Sequence, residues 1–252
     1  MRAEQALQTV STRLGDTTLI LSQRLTEWVT RGPELEEELA NANVALDYLG
    51  QARLFYSYAA ELEGEGRSED DFAFLREASA FQNPLLVEIS SEHFGDAIAR
   101  QVLFDTYYLR FLERLCECSD QRLADIARRA VKEVRYHLRH ASMWFVRLGD
   151  GTEESHRRLQ ASLDAQWQYT GELFVGDSAD DMFRDHFNGP DLAGLRPGWR
   201  AELQALASEA TLELPEDGWM ADGGRRGIHT EGFGYLIAEM QHLPRVHHGV
   251  GW

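Results

Sequence analysis

The chain has 252 residues and sets 25 Lys and Arg against 42 Asp and Glu, a formal charge of −17 at pH 7; 43% of it is hydrophobic and 27% charged. That length and apolar fraction can fill the core of one large domain or two small ones, and the composition excludes a disordered tail, a collagen and a disulfide scaffold. The acidic excess argues against non-specific nucleic-acid binding, which works by neutralising phosphates.

The elements read as helices from end to end. Leu7, Val10 and Leu14 open a first helix near Glu4, and Leu21, Leu25 and Trp28 resume it at the same three- and four-residue steps. Gly15-Asp16 between them marks either a kink or a break with a new N-cap. Arg31-Gly32-Pro33 ends this unit. A second helix is predicted from Pro33, with Glu34, Glu36, Glu37 and Glu38 at the positive end of its dipole. One of its stripes is Leu35, Leu39, Ala42, Leu46 and Leu49; another is Ala45, Tyr48, Ala52, Phe55, Ala59 and Leu62. Between Val44 and Ala60 only Asp47 and Arg53 are charged, so the helix is expected to be surrounded, by its own bundle or by another subunit.

Residues 64–91 differ in texture, with Gly64, Gly66, an acidic Glu69-Asp70-Asp71 patch, one short helix over 72–81 and an Asn83-Pro84 break. They read as a crossover. A third long helix covers 92–118, with Ile98, Val102, Asp105, Leu109, Leu112 and Cys116 on one stripe. A fourth covers 120–148, with Leu123, Ala127, Ala130, Val134, His137, Ala141, Trp144 and Leu148 in unbroken 4-3 alternation. Shorter helices are predicted over 153–175, 177–187, 199–214 and 230–243. Two long helices, a long crossover and two more long helices are the layout of an all-α, ferritin-like four-helix bundle. The expected organisation is a single domain over 1–252: a core bundle in 1–151 with its crossover at 64–91, and a C-terminal helical extension in 152–252.

Such bundles raise the question of two metal ions, held by one Glu from each of two helices and a Glu-x-x-His pair from each of the other two. Spacing by three puts carboxylate and imidazole on one helical face. The second helix has no such pair. In the fourth, the residue three before His137 is Val134, and Glu133 lies four before it. Asp105 sits within an apolar stripe, where a carboxylate is costly unless bonded. The plain reading of His137 with Glu133 is a buried hydrogen-bonded pair. For Asp105 it is a partner such as Arg53 or a tyrosine hydroxyl. Glu153–His156 and Glu239–His242 have the right spacing, but neither lies on the second or fourth helix, and such spacings arise by chance.

Other chemistry is sparse. Cys116-x-Cys118 has no second pair for zinc and is no disulfide framework, which fits a reducing compartment. No apolar run approaches the roughly 20 residues of a membrane span, and residues 1–16 lack a signal-peptide core. No phosphate loop or dinucleotide fingerprint occurs. The expectation is a soluble, cytoplasmic protein with no nucleic-acid or membrane partner. Gly223-Gly224-Arg225-Arg226-Gly227 is either a grip for a phosphate or carboxylate, or a solvated loop or internal latch. His247 and His248 read as a terminal pair without a role.

The segments LGDTTLILSQRLTEW (14–28), PELE (33–36), LDYLGQAR (46–53), FGD (94–96), ARQ (99–101), KEVRYHLR (132–139), RLGDGT (147–152), GGRRGIHTE (223–231) and AEMQHL (238–243) run in order over nearly the whole chain. Together they resemble the PaaC family, structural subunits of 1,2-phenylacetyl-CoA epoxidases of phenylacetate degradation. Arg225-Arg226 stands where that family is expected to carry two lysines. The resemblance implies a ferritin-like subunit with no cofactor of its own, paired with a homologous PaaA-type subunit that carries the di-iron centre. It implies that Tyr48 and Gln51 stand where an active relative has Glu and His, and Val134 where it has Glu. His137 is then a remnant, and Asp105 belongs with these degenerate metal positions. The system so implied puts one oxygen atom of O2 into the ring of phenylacetyl-CoA, with electrons from a reductase subunit.

Three roles follow as expectations. The chain buries an apolar side of its bundle against the PaaA-type partner, an expectation motivated by the nearly charge-free stretch 44–60 and the aromatic third helix. It contributes contacts to the acyl-CoA at or near the subunit interface through Gln82, Asn83, Arg100, Arg225 or Arg226. The alternative is an independent di-iron oxygenase with off-pattern ligands Asp105, Glu133 and His137.

Overall fold

The computed structural model describes residues 1–247; His248 lies outside them. Among the described residues the fold is all helical, with no strand and no helix long and apolar enough to cross a membrane. Four long helices make the bundle: α1 (Ala3–Thr26), α2 (Leu35–Glu63), α5 (Phe94–Leu115) and α6 (Gln121–Gly149), with the short α3 (Glu69–Phe74) and α4 (Leu85–Glu88) in the crossover between α2 and α5. Helix α1 packs along α2, α5 along α6, and α2 against α6, the ferritin-like arrangement. The extension adds α7 (Glu153–Trp167), α8 (Ser178–Phe187), α9 (Leu192–Glu209) and α10 (Phe233–Val246).

At Gly15-Asp16 there is no break and no new N-cap, because α1 runs unbroken from Ala3 to Thr26. Gly15 is there for a close approach: a Cβ at this position would stand 2.4 Å from ring carbons of Tyr56. Asp16, fully buried, accepts from the Tyr56 hydroxyl at 2.6 Å and from the Gln82 backbone N–H at 2.8 Å, and pairs with Arg76. The two residues that look like a helix break bolt α2 and the crossover onto α1.

Elsewhere the boundaries shift. Helix α2 starts at Leu35 with Glu34 as its N-cap, not at Pro33. The single helix expected over 72–81 is α3 followed by a separate 3-10 turn, Ala78–Ala80. The segment 153–175 is α7 and a second 3-10 turn, Gly171–Phe174, while α9 begins at Leu192 and runs through Pro197.

Of the two surroundings expected for α2, the chain's own bundle supplies the cover: Val44, Ala45, Tyr48, Ala52, Phe55, Tyr56 and Ala59 of α2 are buried, and so are Phe104, Tyr107, Tyr108 and Phe111 of α5. What stays open is one flank of α2, where Leu35, Leu39 and Leu46 are exposed, and beside it Tyr136 and Met143 of α6.

The extension clamps the crossover. Gln241 of α10 donates to the carbonyls of Ala73 and Arg76, both at 3.0 Å, and Arg245 to those of Phe74 at 2.9 Å and Arg76 at 2.8 Å. The carbonyls of Ala73 and Phe74 are ones that the short α3 leaves without helical partners at its C-terminal end, and that of Arg76 lies just beyond it.

Replacing Gly15 by Ala should lower stability by about 1–3 kcal/mol through overpacking on Tyr56. Helix propensity alone would raise it by about 1 kcal/mol. Urea denaturation decides: a more stable variant would show that the ring moves aside freely.

Candidate functional site

The middle of the bundle is where a ferritin-like fold concentrates chemistry, and here it is built from hydrogen bonds. Tyr48 on α2 and Asp105 on α5 are both fully buried, and the tyrosine hydroxyl donates to Asp105 Oδ1. Gln101, one turn before Asp105, donates from Nε2 to Asp105 Oδ2 at 2.8 Å and to the Tyr48 hydroxyl at 3.2 Å. One turn further along α2, Gln51 donates to Glu133 Oε2 at 2.9 Å and accepts from the Tyr108 hydroxyl at 3.1 Å. Arg129 holds the other Glu133 oxygen at 3.1 Å. His137 is buried with its Nε2 3.0 Å from Asp47 Oδ2, and Val134 lies fully buried on the same face of α6.

The five positions singled out in the sequence therefore converge, but with different partners. Asp105 is answered by Tyr48, the hydroxyl kind of partner foreseen, while Arg53 is exposed and pairs with Glu69. His137 is answered by Asp47 across the α2–α6 seam, not by Glu133. Glu133 belongs to Gln51 and Arg129. Gln101 went unnoticed in the sequence. Its signal was the spacing of four from Asp105, which puts an amide and a carboxylate on one face.

Burial pushes the Asp105 carboxyl up to about 6, against the opposing pull of His137 and of the Tyr48 and Gln101 hydrogen bonds. Burial, then the Asp105 charge, raises the Tyr48 hydroxyl well above its ordinary value, so it serves as a donor.

The other candidates fall at two further places. Arg100 is fully buried on α5 and donates to the Ile89 carbonyl at 2.7 Å. Its Nε and second terminal nitrogen have no hydrogen-bond partner among the described residues. Burial and the neighbouring Arg24 bring its guanidinium down to about 10. Gln82 and Arg225 meet at a cavity of about 40 Å³ between α1, α5 and the 223–227 loop. Both are tied down inside it: Gln82 Oε1 accepts from Arg13 at 2.9 Å, and Arg225 donates to Val175 O and Asp180 Oδ2, each at 3.0 Å. Arg226 is exposed and paired with Asp222.

The glycines around these arginines serve contact with backbone. A Cβ on Gly224 would lie 2.2 Å from the Asn83 carbonyl oxygen, and one on Gly227, whose φ is +73°, 2.0 Å from that of Ser79. Two buried carboxylates complete the junction. Glu172 takes the N–H groups of Leu85 and Gly223, both at 2.9 Å. Glu88 takes Asn83 Nδ2 at 2.8 Å, His229 Nδ1 at 2.7 Å and the Thr230 N–H at 2.6 Å. The Gly-Gly-Arg-Arg-Gly loop is thus a latch between crossover and extension. Of the Glu-x-x-His pairs, His156 faces the Gly149 carbonyl at 2.8 Å, and His242 is exposed.

Two comparisons bear on this geometry. The model of a family described as phenylacetic acid catabolic protein, PaaA_PaaC, matches residues 1–252. The chain is also 47% identical over 240 residues to the C-type subunit of 1,2-phenylacetyl-CoA epoxidase from Escherichia coli (strain K12), a match that covers 95% of this chain and 96% of that one.

A raised carboxyl penalises the fold where it is ionised. Its unfolded value lies near 3.8 and its folded value near 6, so the folded state binds the extra proton between those limits. Stability from this group is full below about pH 4 and is lost as pH rises through 6. A rise of that size is worth roughly 3 kcal/mol. Replacing Asp105 by Asn should remove most of the loss between pH 4 and 7. Denaturant titrations of both proteins across that range test it, and parallel curves would refute it.

Proposed function

Because the chain belongs to the phenylacetic acid catabolic protein family, we propose that it is the C-type, non-catalytic subunit of a multisubunit phenylacetyl-CoA 1,2-epoxidase in phenylacetate catabolism. In this reading residues 1–252 act as one ferritin-like unit in the cytoplasm. The unit supports a PaaA-type catalytic subunit that carries the di-iron centre, which in turn draws electrons from a reductase subunit.

The observation that carries the reading is the donor set at the bundle centre. A pair of metal ions needs several bridging carboxylates with imidazoles beside them. Here the positions hold Tyr48, Gln51, Asp105, Val134 and His137, and the carboxylates and imidazole present are bonded to side chains: Asp105 to Tyr48 and Gln101, Glu133 to Gln51 and Arg129, His137 to Asp47. A tyrosine hydroxyl, an amide and a valine do not replace the missing donors. The residues do not fit two metals, and no chemical step is assigned to this chain.

Support for docking comes from the open flank. Leu39 and Leu46 are 58% and 63% exposed in a helix that is otherwise well covered. Tyr136 and Met143 of the neighbouring α6 are exposed as well. Exposed apolar side chains of this kind suit a partner surface with an apolar centre. An obligate interface of this kind buries more than about 2,000 Å² in total. In this reading the acyl-CoA lies at or near a subunit interface; of the arginine pair in the latch, Arg226 is the exposed one, on the loop packed against the crossover.

The test is co-purification with a PaaA-type subunit. Replacing Leu39 and Leu46 together by Asp should weaken association by at least about 100-fold, near 3 kcal/mol. Circular dichroism and melting temperature should be unchanged, and phenylacetyl-CoA-dependent oxygen uptake by the assembled system should fall. Undiminished association would remove this flank from the interface. The isolated chain should also carry far less than one iron per molecule; near-stoichiometric iron would favour an independent oxygenase instead.

A further inference from the structure

Under the α2–α6 seam lies a small cavity of about 10 Å³. Leu25, Val44 and Ile98 contribute apolar walls, and four polar side chains line it: His140, whose Nε2 faces Glu37 at 2.9 Å, and three more deeply buried ones, Asn41, Gln101 and His137. Each of the three is more than nine-tenths buried, at 7%, 6% and 1% exposed. Each also has one buried polar atom with no hydrogen-bond partner among the described residues: Nδ2 of Asn41, Oε1 of Gln101 and Nδ1 of His137. Orphans of this kind cost about 1–3 kcal/mol apiece when left unanswered. Three of them around one cavity are a built site.

We propose that this cavity binds a single water molecule, which joins α2, α5 and α6 beside the degenerate metal positions. Its size is that of about one water, for which roughly 10–15 Å³ is required. The chemistry selects the same occupant. The orientation of the Gln101 amide follows from its Nε2, which donates to Asp105 and Tyr48, so its Oε1 calls for a donor. Asn41 Nδ2 is a donor and calls for an acceptor. His137 Nε2 faces the Asp47 carboxylate and so carries a hydrogen. In the neutral ring Nδ1 then accepts, and in the protonated ring it donates.

Water answers every case. Beside a neutral ring it donates to Gln101 and His137 and accepts from Asn41. Beside a protonated ring it donates to Gln101 and accepts from the other two. A metal cation or an ammonium ion cannot accept from Asn41, and an anion finds the Gln101 oxygen opposed to it. The occupant must donate and accept through one heavy atom.

A crystal structure of this chain at about 1.5 Å resolution tests the assignment. One oxygen is expected at about 2.7–3.2 Å from each of the three atoms. A cavity without density, or an ion identified there by anomalous scattering, would overturn it. In solution, deuteron relaxation dispersion counts long-lived internal waters. That count should fall by one in the Asn41→Leu variant, whose side chain fills the cavity, and by one in His137→Phe, which serves if the first does not fold. An undiminished count in a folded variant would equally overturn the assignment.

Discussion

A carboxylate in the centre of a helical bundle has to be met by hydrogen-bond donors, by cations or by a proton. Asp105 sets that demand here. It is fully buried, and the hydroxyl of Tyr48 and the amide of Gln101 meet its two oxygens. This one requirement explains why α2 presents a tyrosine and why α5 places a glutamine one turn away. The same logic repeats along α2: Gln51 answers Glu133, and Asp47 answers His137. The centre of this bundle is a ladder of polar pairs, each tying two helices together. Burying such pairs gains little net stability. Removing one partner leaves the other unanswered, so the ladder resists piecemeal change.

The second organising feature lies outside the bundle. Glu88 and Glu172 are both buried carboxylates that collect backbone N–H groups from distant segments. Through them the crossover and the 223–230 loop share one hydrogen-bond system. The glycines at 224 and 227 allow the backbones to touch. The acidic surplus of the chain therefore includes carboxylates that build its interior and never reach the surface.

Much of the bundle was legible in the sequence because α6 keeps a regular 4-3 apolar alternation and because glycines and a broken texture mark the crossover. The open flank of α2 was not legible. A helix with apolar residues on nearly every side offers no polar face to show which side is wet, and only packing against α1 and α6 decides it. The ladder was half legible. Missing Glu-x-x-His spacings show that the usual donors are absent, but the pairing of Asp105 with Tyr48, and of His137 with Asp47, depends on the relative rotation of α2, α5 and α6. Likewise the glycine-arginine loop has the composition of an anion grip, and its service as a latch emerges only when Ser79 and Asn83 are brought against it from far away in the chain.

That latch also bears on the order in which the molecule comes together. Its contacts span long loops: Glu88 reaches His229 and Thr230 across more than 140 residues, and Gln241 reaches Ala73 across 168. Contacts so distant in sequence close late, because the entropy of the intervening chain must first be lost. On a ribosome, the α1–α2 hairpin can pair as soon as it emerges. The linker after it has to wait for residues 223–245 before its backbone groups find permanent partners. The nascent molecule thus passes through a stage with its waist unfastened.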